Sequence, residues 1–443
     1  MTLIADLLQK AGMSEQPART RAAMFASVDS ALREKGVEPA DRIHVPGRIE
    51  ILGKHTDYGG GRSLLAAAER GFCVASAPRK DATVRLIDIG RHDEVALTLE
   101  VSPVVTTPHW AIYPAAVVRR LVRDFGGPLN GADIAFVSDL PPSSGLSSSS
   151  ALLIAAFEAL RLANRLDQRG DFRRALPGVL DVAAYLGSVE SGRRFRDFEG
   201  EVGVGTLGGS QDHTAILACE AGRLSRFGFA PVRSEGSVGL PSGLTFVIAV
   251  SGVAARKAAG ARQDFNRAAG LSAALLEIWR RVSGGAEATL FEAVSSGADA
   301  VARLRNAIGS GSAAYPARDL EARLDQFVEE TLVLVPGACD AMAAGDLSGF
   351  GALVDRSQQG AERGLKNQIE ETVELARMAR SLGAHAAAAF GAGFGGSVWA
   401  LVSSSEEDRF RADWERAYRA RFDHPSAAFF PSAPGPPLLR LPG

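Results

Sequence analysis

Residues 46–61 read Pro-Gly-Arg-Ile-Glu-Ile-Leu-Gly-Lys-His-Thr-Asp-Tyr-Gly-Gly-Gly. Glycine brings no side chain to bury and charged groups resist desolvation, so a stretch that sets Arg48, Lys54, His55 and Asp57 among glycines is poor core and a good binding wall. Short runs rich in Val, Ile, Thr and Leu flank it: Ile43–Val45 before, then Gly71–Ala77, Ala82–Ile89 and Glu94–Val101 after. With turn residues between them, they predict a mixed or antiparallel sheet. Residues 1–36 carry apolar positions at helical spacing and stop at Gly36, so a helix leads into the sheet.

Further along, Trp110–Asp124 reads as a helix whose late arginines suit its dipole, and Ala132–Val137 as a strand. Between that strand and an apolar helix over about 147–165 lies Pro141-Pro-Ser-Ser-Gly-Leu-Ser-Ser-Ser-Ser-Ala151. Gly145 permits close backbone approach, and the helix start offers unpaired N–H groups to an anion, so phosphate is the natural guest. No lysine precedes a serine or threonine at the loop end, which excludes an ordinary P-loop and leaves hydroxyls to serve phosphate and magnesium. A serine-rich linker is the plain alternative, but linkers seldom abut a buried helix. Gly208-Gly-Ser-Gln-Asp-His213 places Asp212 before the apolar run Thr214–Ala218; alone, such an aspartate is a cap or turn residue. Gly391-Ala-Gly-Phe-Gly-Gly396 before the strand Ser397–Val402 is, alone, a turn, because the downstream acid of a dinucleotide fold is not in place.

A chain of 443 residues exceeds one ordinary core, and a composition shift near 240–243 divides it into expected domains of 1–240 and 241–443. The second opens on a strand, Leu244–Val250, and is mostly helical: Ala268–Arg281, Ala300–Ile308, Ala317–Val335 and Gln368–Leu382. The proline-rich segment 431–437 is expected to run extended over the surface. Lysine and arginine (49) nearly balance aspartate and glutamate (51), for a formal charge of −2, which removes the footprint of a general nucleic-acid binder. Cys73, Cys219 and Cys339 fall in no C-x-x-C pattern, so neither a disulfide framework nor a cysteine zinc site is indicated. Met1–Lys10 lacks a signal-peptide core and no apolar run spans a bilayer. A cytoplasmic protein with a small-molecule partner, no nucleic acid and no membrane is expected.

Three glycine-rich motifs in this order, with Arg48 and Asp212, resemble the GHMP kinase superfamily, and within it the galactokinases. Residues 47–58 look like that family's sugar-binding segment, 141–151 like its ATP loop and 391–396 like its third motif. The resemblance covers about 41–402. It implies an α+β, two-domain architecture: an N-terminal ATP- and sugar-binding domain like domain 2 of ribosomal protein S5, and a ferredoxin-like C-terminal GHMP kinase domain. The implied activity is ATP-dependent phosphorylation of the anomeric C1 hydroxyl of a hexose, galactose or a related sugar, with ATP and Mg2+ as cofactors. By motif position, Asp212 matches the catalytic aspartate and Arg48 the residue that stabilises charge and holds it ionised. Lys54, His55, Asp57 and Gly209 fall on substrate-binding positions, and Ser143, Ser144, Gly145, Leu146, Ser147, Ser148 and Ser149 on the ATP loop. Ser149 and Glu190 match the magnesium ligands, with Glu199 and Glu201 as rivals of Glu190.

The match has departures. Galactokinases carry glutamate where this chain has Lys54, and lysine cannot accept the hydrogen bond which that glutamate takes from the sugar's far-end hydroxyl. Lys54 either meets the substrate or turns away, to solvent or to Glu50 or Asp57. After Leu244–Val250 the sugar-contacting tyrosine is absent, and residues 251–268 hold Arg256, Lys257, Arg262, Asp264, Phe265 and Arg267. Two basic features near the sugar's far end motivate a sugar acid, galacturonate or glucuronate, as an alternative substrate. Gln211-Asp212-His213 resembles other sugar-1-kinases, heptose kinases included. A reading of another class is a catalytically silent, galactokinase-like sugar sensor.

Overall fold

The computed structural model describes residues 2–101, 109–253, 259–309 and 315–442, apart from the side chains of residues 2 and 259–265. Strand β1 (Asp41–Leu52) runs through the motif to Leu52, although Pro46, Gly47 and two charges argue for ending it at Val45. It survives because its register against β2 (Arg62–Pro78) slips between Pro46 and Arg48 and again between Glu50 and Leu52. Such bulges accommodate a proline's missing donor and re-aim side chains. Between the slips, strand alternation sends Ile49 and Ile51 into the core and Arg48 and Glu50 to the opposite face. A short 3-10 turn, Asp57–Gly59, lies in the connection to β2.

The remaining strands are β3 (Thr83–Asp88), β4 (Asp93–Thr98), β5 (Ala132–Ser138), β6 (Arg223–Gly228), β7 (Arg233–Gly239), β8 (Leu244–Val250), β9 (Ala386–Phe390), β10 (Ser397–Ser403), β11 (Ala428–Ser432) and β12 (Leu439–Leu441). The first sheet runs β12-β1-β2-β5-β3-β4, with β6 on β2 and β7 on β6, and only the β3/β5 pair is parallel. The second runs β11-β8-β10-β9, all antiparallel.

Helices cover both faces of β2. The helix Ser148–Ala163 buries Leu153, Phe157 and Leu160 with Ile49, Ile51 and Val74. On the other side, Phe25, Val28 and Leu32 of Glu15–Glu34 meet Cys73 and Ala75. The leading helix is in fact two, Thr2–Lys10 and Glu15–Glu34, broken where Gly12 takes a φ of 101°. In the second sheet, Leu375 and Ala379 of Glu370–Ser381 and Phe410, Trp414 and Tyr418 of Glu407–Arg419 pack with Val247, Ala249, Val398 and Ala400. The helix expected to end at Val335 instead widens into a π turn, Glu330–Leu334, and continues as Val335–Ala343. Proline is tolerated there because it falls at the start of the continued segment. No helix among the described residues is long and apolar enough to cross a membrane.

The proline-rich tail is extended, as its composition predicts, but it is not a surface strap. Gly435 N–H donates to Ala67 O at 2.8 Å and Leu438 N–H to Ile216 O at 2.8 Å, and β12 then pairs with β1. Its Leu439 and Leu441 lie against Leu8, Met13 and Ala18. Prolines suit this path because the chain keeps only selected donors. Truncation after Ser432 is expected to cost about 3 kcal/mol of apolar burial and lower Tm by roughly 3 °C, measured by thermal scanning of full-length and truncated protein.

Candidate active site

A cleft of about 630 Å³ is lined by β1 and its turn, the serine loop, residues 206–213 and the glycine loop 391–396. The serine and glycine loops touch through backbone: a side chain at Gly145 (φ 77°) would lie 3.1 Å from Phe390 O, and one at Gly391 (φ 83°) 3.0 Å from Gly145 O. Ser397 Oγ donates to Ser144 O at 2.6 Å across the same seam. His55, Ser143, Ser147 and Phe394 all hold left-handed backbones in these loops. Such strain in non-glycine residues persists where the surroundings over-determine it, and it clusters at sites.

Arg48 is 4% exposed. Its Nε donates to Asp212 Oδ1 at 2.7 Å, its Nη1 to Gly145 O at 2.8 Å and its backbone N–H to Leu146 O at 3.1 Å. One side chain thereby joins the first strand, the serine loop and the start of the helix Gln211–Ala218. Burial alone would raise the Asp212 carboxyl, but Arg48, Ser147 and His213 outweigh it and hold the group below the ordinary aspartate value. Its place in the helix's first turn favours the charge further.

His55 and Asp57 also line the cleft. Burial, with Arg323 nearby, lowers His55 to about 4, so the imidazole is neutral. Its Nε2 lies 3.2 Å from Ala392 O and its Nδ1 3.1 Å from Tyr58 Oη, which fits an Nε2–H donor and an Nδ1 acceptor. Asp57 Oδ2 accepts from Gln211 N–H at 3.1 Å, and burial raises its carboxyl. Gly209 is needed for this approach, since a Cβ there would stand 2.3 Å from Asp57 Oδ2.

Lys54 is not a cleft residue, which corrects the expectation that it meets the substrate. It is 1% exposed, and its Nζ donates to Ser357 Oγ at 3.0 Å. Neither solvent nor an ion pair with Glu50 or Asp57 holds it; the π turn does. Glu330 Oε1 accepts from Gly53 N–H at 2.7 Å, Lys54 N–H at 3.3 Å and Ser357 Oγ at 2.9 Å. Of the basic segment, Arg256 and Lys257 lie outside the described residues, as do the side chains of Arg262, Asp264 and Phe265, while Arg267 pairs with Asp319 at 2.8 Å.

A galactokinase galactose-binding signature matches residues 34–78, the GHMP kinase N-terminal domain 113–187 and the GHMP kinase C-terminal domain 338–420. The chain is a galactokinase-like GHMP kinase. It is 28% identical over 390 residues to a galactokinase of Roseiflexus sp. (strain RS-1), covering 86% of this chain and 88% of that one. It is 29% identical over 400 residues to a galactokinase of Chloroflexus aggregans, covering 87% and 90%. The Lactococcus lactis galactokinase, solved in complex with galactose, shares the fold with a TM-score of 0.75 at 20% identity, over 94% of this chain and 100% of that one. The chain is accordingly a phosphotransferase with an alcohol acceptor, of a family that uses ATP.

In this GHMP kinase Ser143, Gly145, Ser147, Ser148 and Ser149 line the cleft, whereas Ser144 and Leu146 are buried beneath it at 2% and 1% exposure. Leu146 serves through its carbonyl, on Arg48. Ser149 and Glu190 both face the cleft, and Glu190 Oε2 accepts from Ser150 Oγ at 2.8 Å and lies 3.0 Å from His213 Nε2. The rivals sit elsewhere: Glu201 pairs with Arg119 at 3.2 Å, and Glu199 is 3.7 Å from Arg194 on the surface. Sequence reasoning missed Ser150, Glu330 and Glu50 as parts of the site; Ser150 sits in the serine run 147–150 and Glu50 is a charge two residues from Arg48 on the same strand face, whereas Glu330 carried no local signal.

Glu50 is 3% exposed, and burial pushes its carboxyl up to about 7 against the pull of Arg48, Lys54 and Gln211. A raised folded-state value favours the neutral acid, so the stability this group contributes is complete below the unfolded value near 4.5 and is lost as pH rises through about 7. Glu50→Gln removes that titration. Relative to the variant, the parent protein is expected to lose about 3 kcal/mol between pH 4.5 and 8, read by urea unfolding at both ends.

Proposed function

We propose that this chain transfers the γ-phosphoryl group of ATP to the anomeric C1 hydroxyl of a hexose, galactose or a close relative, giving a sugar 1-phosphate and ADP. The observation that carries the reading is the buried Arg48–Asp212 pair at the meeting point of the sugar-facing strand and the serine loop. Asp212, held ionised, accepts and orients the C1 hydroxyl proton. The sugar oxygen then bonds to the γ-phosphorus as the bridge to the β-phosphate breaks and ADP leaves. Arg48 keeps Asp212 aligned and supplies positive charge beside the transferred group. The N–H groups at the start of the helix Ser148–Ala163 and the loop backbone from Ser143 to Ser149 cradle the ATP phosphates.

His55, Asp57 and Gly209 form the sugar wall: a neutral imidazole, a carboxylate and a close backbone approach suit a polyol. Lys54 drops out of this wall, and with it the main support for a sugar acid. A carboxylate and hydroxyls are the oxygen donors that magnesium takes, so Glu190 and Ser149, with Ser150 beside them, fit a Mg2+ ion that would neutralise phosphate charge. The domain division near 240/241 and a cytoplasmic location belong to the same reading. A sensor would need no aligned base, so Arg48 and Asp212 together favour turnover.

The test is ADP release with ATP and a panel of galactose, glucose, galacturonate and a heptose. Galactose or a neutral relative should stimulate release; a preference for galacturonate would overturn the neutral-sugar assignment, and binding without release by any sugar would support the sensor. Asp212→Asn is expected to lower kcat by about 10²–10⁴-fold while the ATP dissociation constant, measured by calorimetry, stays within about twofold.

A further inference from the structure

Gln211, the neighbour of Asp212, reaches three other parts of the site. Gln211 Nε2 donates to Glu50 Oε2 at 2.7 Å, its Oε1 accepts from Ser63 Oγ at 3.1 Å, and its backbone N–H donates to Asp57 Oδ2 at 3.1 Å. It thus ties β1, β2 and the sugar-facing turn to the helix turn that carries Asp212. Glu50 is anchored in turn from the second sheet, where Trp399 Nε1 donates to Glu50 O at 3.0 Å. Its Oε1 is shut away from solvent with no hydrogen-bond partner. A buried carboxylate with one bonded oxygen is costly to the fold, a cost of the kind that sites carry.

We propose that Glu50 and Gln211 act as one positioning unit for phosphoryl transfer: the Glu50 carboxyl holds the Gln211 side chain so that Asp212 meets Arg48 and Asp57 keeps its backbone donor. The inference rests on the kinase reading above. Both line the cleft, and their part in the reaction runs through Asp212 and Asp57. Burial raises the Glu50 carboxyl, while Arg48, Lys54 and the hydrogen bond from Gln211 pull it down, so Glu50 is coupled to the groups it helps to place.

The experiment is a double-mutant cycle on the full chain, Glu50→Ala, Gln211→Ala and the pair together, read as sugar-dependent ADP release. Misplacement of a reacting group by ~1 Å costs ~10²-fold in rate, so each single variant should lose about 100-fold in kcat with KM for ATP within about threefold. The double variant should lose no more than either single, because the two residues act as a unit. Should either alanine variant fail to fold, Glu50→Gln, which keeps an acceptor oxygen, is paired with Gln211→Glu, which removes the donor; the first should retain most of kcat and the second lose it. Additive losses, losses confined to KM, or a lower Tm with kcat intact would overturn the unit. Failure of the parent protein to release ADP with any sugar would instead overturn the kinase reading, so the two outcomes are distinct.

Discussion

A guanidinium stripped of water must find its partners in the protein, and Arg48, backbone included, finds them in two separated parts of the chain, the serine loop and the turn at Asp212. Asp212 takes its Nε, Gly145 its Nη1, and Leu146 its backbone N–H. Each contact is charge-assisted or shielded from solvent, where hydrogen bonds are stronger and unpaired groups costlier. The position of the serine loop, the start of the helix Gln211–Ala218 and the register slips of β1 are all constrained by this one side chain. The chemistry follows from that constraint, because an aspartate held ionised beside a fixed cation can take a hydroxyl proton as charge builds on a phosphoryl group.

The second sheet completes the site rather than merely covering it. Gly391 meets Gly145 backbone to backbone, Ser397 bonds to Ser144 O, and Ala392 O fixes the His55 tautomer. From the opposite direction, the π turn at Glu330 collects the Gly53 and Lys54 amides and, through Ser357, the Lys54 amino group. Turning residue 54 inward leaves the sugar wall to His55, Asp57 and Gly209, which is why a position so prominent in the sequence has no direct part in the cleft.

How much of this could be read beforehand depended on range. The three glycine-rich motifs, Arg48 and Asp212 were legible because glycine and charge in poor core positions are visible locally. The helix Ser148–Ala163 and the strands β5, β8 and β10 followed from periodicity. The full lengths of β1 and β2 did not, because Pro46 and Gly47 look like an ending until bulges opposite β2 absorb them. The orientation of Lys54 depends on Glu330 and Ser357, hundreds of residues away, and the Glu50–Gln211 bond on a partner just as invisible to local pattern. The tail was rightly read as extended, but its burial against β1 required knowing which sheet edge was open.

The central claim, that Asp212 and Arg48 direct phosphate to an anomeric hydroxyl, is tested most directly by phosphorus NMR of the product formed from ATP and galactose. A doublet whose proton–phosphorus correlation is to the anomeric proton, absent with Asp212→Asn, is the predicted result. A resonance coupled to two protons, which places the phosphate on the primary C6 hydroxyl, or a doublet undiminished in the Asp212 variant, would contradict it.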